Sequence, residues 1–220
     1  MESGDGFLER RKRLVSNLVS AGYIRTKEVE KAMMKIPREN FVPRDLLTEA
    51  YIDTPLPIGK GQTISAPHMV AIMLEELMLE QGQKVLEIGA GSGYHAALTA
   101  ELVSPGGFVY TIERIPELVG FARANIEKAG YGNCVEVIEG DGSKGYPENS
   151  PYDRIFVACG APDLPKPLIS QLAEDGVMLV PVGGRYFQDL IRARKKKGKL
   201  LTENRGGCVF VPLIGEYGYE

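Results

Sequence analysis

Two kinds of hydrophobic spacing divide the chain. Over its first third, apolar residues recur at helical intervals: Phe7, Leu14, Val15, Leu18 and Val19 share one face with Arg11, and a second helix from about Thr26 to Ile36 stops at Pro37. From Val85 onward, short apolar blocks alternate with helical stretches. This pattern predicts a strand at 84–88, a helix at 94–103, a turn at Pro105-Gly106-Gly107, a strand at 108–112, a helix at 116–129 closed by Gly130, and a strand at 135–139. Further strands are expected at 153–158, 177–182, 188–194 and 207–212. Strands that alternate with helices form a mostly parallel sheet covered on both faces, so the class is α/β, a doubly wound Rossmann-like sheet with an N-terminal helical extension.

Between the two regimes lies Tyr51 to Met69, with prolines at 55 and 57 and glycines at 59 and 61. Proline withholds a backbone donor, so no regular element is expected here. Leu56, Ile58 and Ile64 give the segment enough apolar surface to pack down. Ser65 stands just before Pro67 and is positioned to cap a helix beginning there, a role that does not exclude a catalytic one.

Composition fits one soluble domain: 220 residues, 44% hydrophobic and 25% charged, suffice for a substantial core. It divides into N-terminal helices and loop (1–80) and an α/β core (81–220). A net charge of -3 gives no general attraction to nucleic acid or to an anionic membrane. No apolar run is long enough to span a bilayer, and the N-terminus lacks a basic leader. Cys134, Cys159 and Cys208 are odd in number and scattered, which suits reduced thiols in a cytoplasmic protein, expected to be a monomer. His68 and His95 have no ligand partner at metal spacing, so no metal is expected. His95 is assigned to packing or capping. Arg10 to Arg13 read as a solvated helix face, and Arg192 to Lys199 as an exposed hairpin tip.

The chemistry concentrates at the first strand of the α/β region. Val85-Leu86-Glu87-Ile88-Gly89-Ala90-Gly91-Ser92-Gly93-Tyr94 runs from an apolar strand into a glycine-rich turn and a helix, and the next strand ends at Glu113. That arrangement builds a nucleoside pocket, with the second carboxylate placed to hold ribose hydroxyls. Tyr94 occupies the last glycine position of a dinucleotide fingerprint, and Glu87 brings negative charge where a diphosphate wants amide donors. A cationic sulfonium bearing an ammonium group tolerates that carboxylate better, which favours S-adenosylmethionine over NAD. Asp141, between Gly140 and Gly142 after a strand, suits either a turn or an adenine contact. Asp153 reads as structural.

Beyond the glycine motif, the chain resembles the protein-L-isoaspartate O-methyltransferase family. The likeness is carried by Arg38-Glu39-Asn40-Phe41-Val42-Pro43, by Gly59 through Met69, by Val85 to Gly89, by Gly140-Asp141-Gly142, by Pro151 to Ile155, by Gly176 to Gly183 and by Val211-Pro212-Leu213. It implies the S-adenosylmethionine-dependent methyltransferase fold and transfer of a methyl group to the free α-carboxylate of L-isoaspartyl residues. The products would be S-adenosylhomocysteine and a methyl ester that starts repair to L-aspartyl; the partners would be damaged proteins and peptides. In the family the serine matching Ser65 is the active-site residue, and Gln62, Thr63, Ile64 and Ser65 line the cofactor near its methyl. His68 joins them, Glu87 and Gly91 belong to the same pocket, Gly89 approaches the methionyl part, Glu113 takes the ribose, and Asp141 with Gly142 borders the adenine. Ile214 stands where some members carry a cofactor-contacting threonine. The absence of an Asn/Asp-Pro-Pro-aromatic run argues against RNA amino-group methylation. An oxidoreductase or a binder with a dead site are the other classes weighed.

Overall fold

The computed structural model describes residues 4–220. A helix α1 (Gly4–Ser20) and a helix α2 (Lys27–Lys35) form an antechamber to the sheet. Leu14, Val15 and Leu18 of α1 are buried as the spacing predicts, but Val19 is exposed. Arg11 is no solvated cation: it donates to the Tyr51 hydroxyl (2.7 Å), the Met34 carbonyl (3.0 Å) and Glu39 (3.0 Å). Thr26 caps α2 by accepting from the Val29 amide, and the helix ends at Ile36 before Pro37.

The next residues turn tightly around Arg38, which is fully buried. Its Nε donates to the Ala50 carbonyl (3.0 Å), and its guanidinium lies 5.2 Å from the Tyr94 ring centroid. Burial brings the Arg38 pKa down to about 10.

The stretch predicted to be irregular contains a β-hairpin, β1 (Leu56–Gly59) and β2 (Gln62–Ile64). Lys60 and Gly61 both take positive φ (54° and 71°), the turn geometry whose twist suits a two-residue hairpin. The prolines are tolerated because a two-stranded ribbon leaves outward positions without a partner. Helix α3 (Pro67–Leu77) follows, and Ser65 does not cap it: the N-cap position is Ala66, with no side-chain cap bond of its own.

The sheet then assembles from β3 (Lys84–Ile88), β4 (Phe108–Glu113), β5 (Val135–Glu139), β6 (Tyr152–Val157), β7 (Leu172–Gly183), β8 (Gln188–Lys196) and β9 (Lys199–Cys208), in the order β5-β4-β3-β6-β7-β8-β9. The first five strands pair in parallel, and the β7-β8-β9 edge is antiparallel. Helices α4 (Tyr94–Val103), α5 (Pro116–Lys128) and α6 (Lys166–Gln171) complete the crossovers. The strand predicted at 207–212 is displaced: β9 ends at Cys208, and Val209 to Leu213 leaves the ladder. Strand β9 is polar and exposed along most of its length, so it carries no hydrophobic period. The tip of the β8-β9 hairpin is Lys197-Gly198, but Arg192 and Lys195 are tied down, the latter to the Leu172 carbonyl at 2.8 Å. Asp153 is structural, accepting from the Lys84 amide at 2.8 Å.

One buried carboxylate joins the antechamber to the sheet edge. Glu76 of α3, 3% exposed at its side chain, meets Arg205 (2.7 Å), Arg25 (2.8 Å) and Arg192 (3.0 Å). Burial opposes its ionisation, but the Arg205 and Arg25 guanidiniums outweigh that and hold its pKa below the ordinary value. A carboxylate whose pKa is lowered by folding adds stability above its unfolded pKa and loses it on acidification. Glu76→Gln is therefore expected to lower unfolding stability at pH 7 by about 2 kcal/mol, less than for a fully buried pair because the arginines can rehydrate. Urea denaturation at pH 7 and pH 3 measures this, and the deficit should shrink at the lower pH.

Candidate active site

The sheet order reverses around β3, since β4 lies on one side of it and β6 on the other. A crevice opens outside the carboxyl ends at such a point. Here Ile88 and Gly89 follow from β3, Ile112 and Glu113 from β4, and Ala158 and Cys159 from β6, and all six line one cavity. Gln62 and Thr63 of the hairpin form another side, with Gly91 and Gly142, while Val211 to Ile214 supply the far wall.

Gly89 turns out of β3 with φ 95°, a conformation that disfavours any side chain. Gly142 is required for space: a Cβ there would sit 2.4 Å from Ile88 Cγ2. Glu113 is held in place by the backbone. Its Oε2 accepts from the Gly91 amide (3.1 Å), and Oε1 accepts from the amides of Arg114 (2.9 Å) and Ile115 (3.0 Å). A carboxylate so oriented keeps further lone pairs available to a vicinal diol.

Beneath the glycine turn is a smaller chamber lined by Ile64, Ser65, Glu87 and His95, among others. Glu87 is fully buried and neither of its oxygens has a hydrogen-bond partner. Burial pushes its carboxyl pKa up to about 8, and the Glu113 charge adds to this. His95 packs on Phe156 (centroids 4.5 Å apart), as expected of a core residue, with its pKa driven down to about 3 by burial. An unpaired buried carboxyl beneath the glycine turn fits a cationic ligand group.

Folding raises the Glu87 pKa, so its favourable contribution is complete below the unfolded value of 4.5 and is lost as pH rises through about 8. The ligand-free protein is expected to lose stability between these limits. Glu87→Gln, which cannot ionise, should flatten that decline in denaturation curves recorded across the range.

A third, wider cavity adjoins these two. It is lined by Ser65, Ala66, His68 and Met69, by Arg185 and by Val209 to Pro212. Thr63 and Ala158 line all three cavities, so the hairpin and the end of β6 form the partition between them.

Of the residues singled out in the sequence, Gln62, Thr63, Gly89, Gly91, Glu113 and Gly142 meet at the first cavity. Ile64, Ser65 and Glu87 meet in the chamber beneath it, and Ser65 also reaches the third cavity, where His68 lies. Asp141 borders none of these cavities. Its Oδ1 accepts from the Ser143 amide (2.9 Å) and hydroxyl (2.6 Å), and Oδ2 accepts from the Glu216 amide (2.9 Å). It shapes the loop that presents Gly142. Sequence reasoning missed Ala158 and Cys159, although small residues directly after a strand at a switch point were a usable signal. It also missed Asp53 and Arg185.

A mostly parallel seven-stranded sheet of this order, with a carboxylate under the first βα turn and another at the tip of the neighbouring strand, defines the class of S-adenosylmethionine-dependent methyltransferases. Comparison with known proteins narrows the class. The family model described as Protein-L-isoaspartate(D-aspartate) O-methyltransferase (PCMT) matches residues 9–218, and the chain belongs to that family. Protein-L-isoaspartate O-methyltransferase of Methanopyrus kandleri is 58% identical over 215 residues, covering 97% of this chain and 95% of the relative. That of Hyperthermus butylicus is 58% identical over 222 residues, covering 97% and 92%. A Plasmodium falciparum protein-L-isoaspartate O-methyltransferase, solved in complex with S-adenosyl-L-homocysteine, superposes with a TM-score of 0.84 at 30% identity, covering 93% of this chain and 98% of that one.

Proposed function

We infer that this chain transfers the methyl group of S-adenosylmethionine to the free α-carboxylate of L-isoaspartyl residues in damaged proteins and peptides, forming the ester that initiates repair. The observation that carries this reading is the family match over residues 9–218. The placement of Thr63 and Ser65 between the inner chamber beneath the glycine turn and a wider cavity supports it.

The residues fit the cofactor. Glu113 would hold the ribose, Gly89 and Gly91 would let the backbone lie against the ligand, and Gln62, Thr63 and Ile64 would cover it. When bound, the cofactor supplies an electrophilic methyl group. The acceptor carboxylate is already ionised at neutral pH, since such groups have pKa values of about 4, so no general base is required. What remains is orientation and exclusion of water, which can contribute several kcal/mol. Ser65 would donate its hydroxyl to one carboxylate oxygen and leave the other free to attack. No nucleophile elbow surrounds Ser65, and a direct displacement needs no covalent intermediate.

Glu87 gives this reading a thermodynamic signature. A cation brought beside it favours the ionised carboxylate, so cofactor uptake below pH 8 is expected to release a proton. Calorimetry in buffers of different ionisation enthalpy measures it, and Glu87→Gln should abolish the release. In this reading the chain works as a single domain and a cytoplasmic monomer on exposed peptide segments, with its three thiols reduced. No described helix is long and apolar enough to cross a membrane.

Paired peptides differing only in aspartyl or isoaspartyl linkage, offered with methyl-labelled S-adenosylmethionine, test the reading. Base-labile ester on the isoaspartyl peptide alone is expected. Cofactor binding without transfer to either peptide would favour a binder with a dead site.

A further inference from the structure

Asp53 makes a double contact with His68, which lines the wider cavity. One oxygen, Asp53 Oδ1, accepts from the backbone N–H of His68 at 2.8 Å and lies 2.9 Å from its ring Nδ1. The first bond satisfies an amide in the opening turn of α3, where the N-cap residue Ala66 has no polar side chain to do so. The second settles the ring. A carboxylate at Nδ1 draws the ring proton to that nitrogen, and Nε2 is left for whatever occupies the cavity. Tyr23 packs against the same ring, its centroid 5.5 Å away. Three contacts therefore orient His68, and it lines the cavity alongside Ser65.

We propose that Asp53 is a positioning residue for the acceptor: it holds His68 so that the protonated ring donates from Nε2 to the isoaspartyl carboxylate, beside the donor hydroxyl of Ser65. The inference rests on the functional reading above. A neutral ring with its proton on Nδ1 would present only a lone pair at Nε2, which repels a carboxylate; the imidazolium presents a charged donor. The groups around the ring are Asp53, Tyr23 and, across the same cavity, Arg185. The Asp53 charge is also felt by the buried Arg38 guanidinium. Asp53 is the one anion in this set. Arg185, which lines the same cavity, adds to the attraction for an anionic acceptor.

Asp53→Asn keeps an acceptor oxygen for the His68 amide and removes the charge. Peptide methylation kinetics and equilibrium cofactor binding would be measured on the same samples from pH 6 to 9. Losing one charge-assisted hydrogen bond should raise the peptide KM about tenfold near pH 6.5, with kcat changed by less than about threefold and cofactor Kd unchanged. The KM difference between wild type and variant should narrow toward pH 9, since only the charged form of an imidazole can make this contact. His68→Gln should raise KM to a similar extent at low pH, and adding Asp53→Asn to it should have no further effect. The proposal is overturned if Asp53→Asn leaves KM and its pH dependence unchanged, if its effect persists in full beside His68→Gln, or if the loss falls on cofactor Kd. Wild-type protein that binds cofactor yet esterifies no isoaspartyl peptide overturns the functional reading and this inference together.

Discussion

Glu113→Ala is expected to weaken S-adenosylmethionine binding by about two to four orders of magnitude, the sum of two charge-assisted hydrogen bonds to the ribose at about 1.5–3 kcal/mol each. The substitution also strips the acceptor from three backbone amides, those of Gly91, Arg114 and Ile115. Those donors organise the glycine turn and the loop after β4, so the damage extends beyond the lost contact. Glu113→Gln separates the two effects, because its amide oxygen can still accept from some of these N–H groups while the charge is gone. Isothermal titration of both variants should rank them wild type, Gln, Ala in falling affinity. Equal affinity for wild type and Ala would remove Glu113 from the binding site.

Ser65→Ala should behave in the opposite way. Preorganised donors at a reacting oxygen are typically worth about 10²-fold in turnover, so kcat should fall by about that factor while cofactor Kd changes by less than about threefold. The placement of Ser65 supports the split: it lines the inner chamber and the wider cavity, but not the cavity that contains Glu113. Stability should be nearly unaffected, since the hydroxyl caps no helix. Single-turnover methylation of an isoaspartyl peptide, with cofactor titration alongside, gives the two numbers. Parallel losses in both would make Ser65 a cofactor residue alone.

The parts of the fold legible in the sequence are those whose burial leaves a periodic trace. Strand β3, helix α4 and strand β5 fall at the predicted residues because each is an apolar block bounded by glycine, proline or charge. Strand β9 is an exposed edge whose residues are mostly polar, so nothing in its pattern marks it. Val209 to Leu213 is apolar for a different reason: it walls cavities, and so it imitates a strand. The β1-β2 hairpin was hidden by its prolines. At the site, the glycine turn and Glu113 are a local pattern and were readable. Asp53 reaches His68 across fifteen positions, with no spacing rule to suggest the pair. Glu87 reads as a negative charge in the sequence, whereas burial, which only the fold supplies, raises its pKa to about 8 and favours the neutral form.

The far wall of the nucleoside cavity is made by Val211 to Ile214, and Glu216 and Tyr217 fasten the following turn to Asp141 and Ser143. This has a consequence for biosynthesis. Strands β3 and β4, with the glycine turn and Glu113, leave the ribosome well before that wall does. A ligand stabilises only the state able to bind it, so cofactor in the cell can do little to assist the early folding of the sheet. The nascent sheet must stand on its own core contacts, and the cofactor's contribution arrives as a late lock once the final segment has docked.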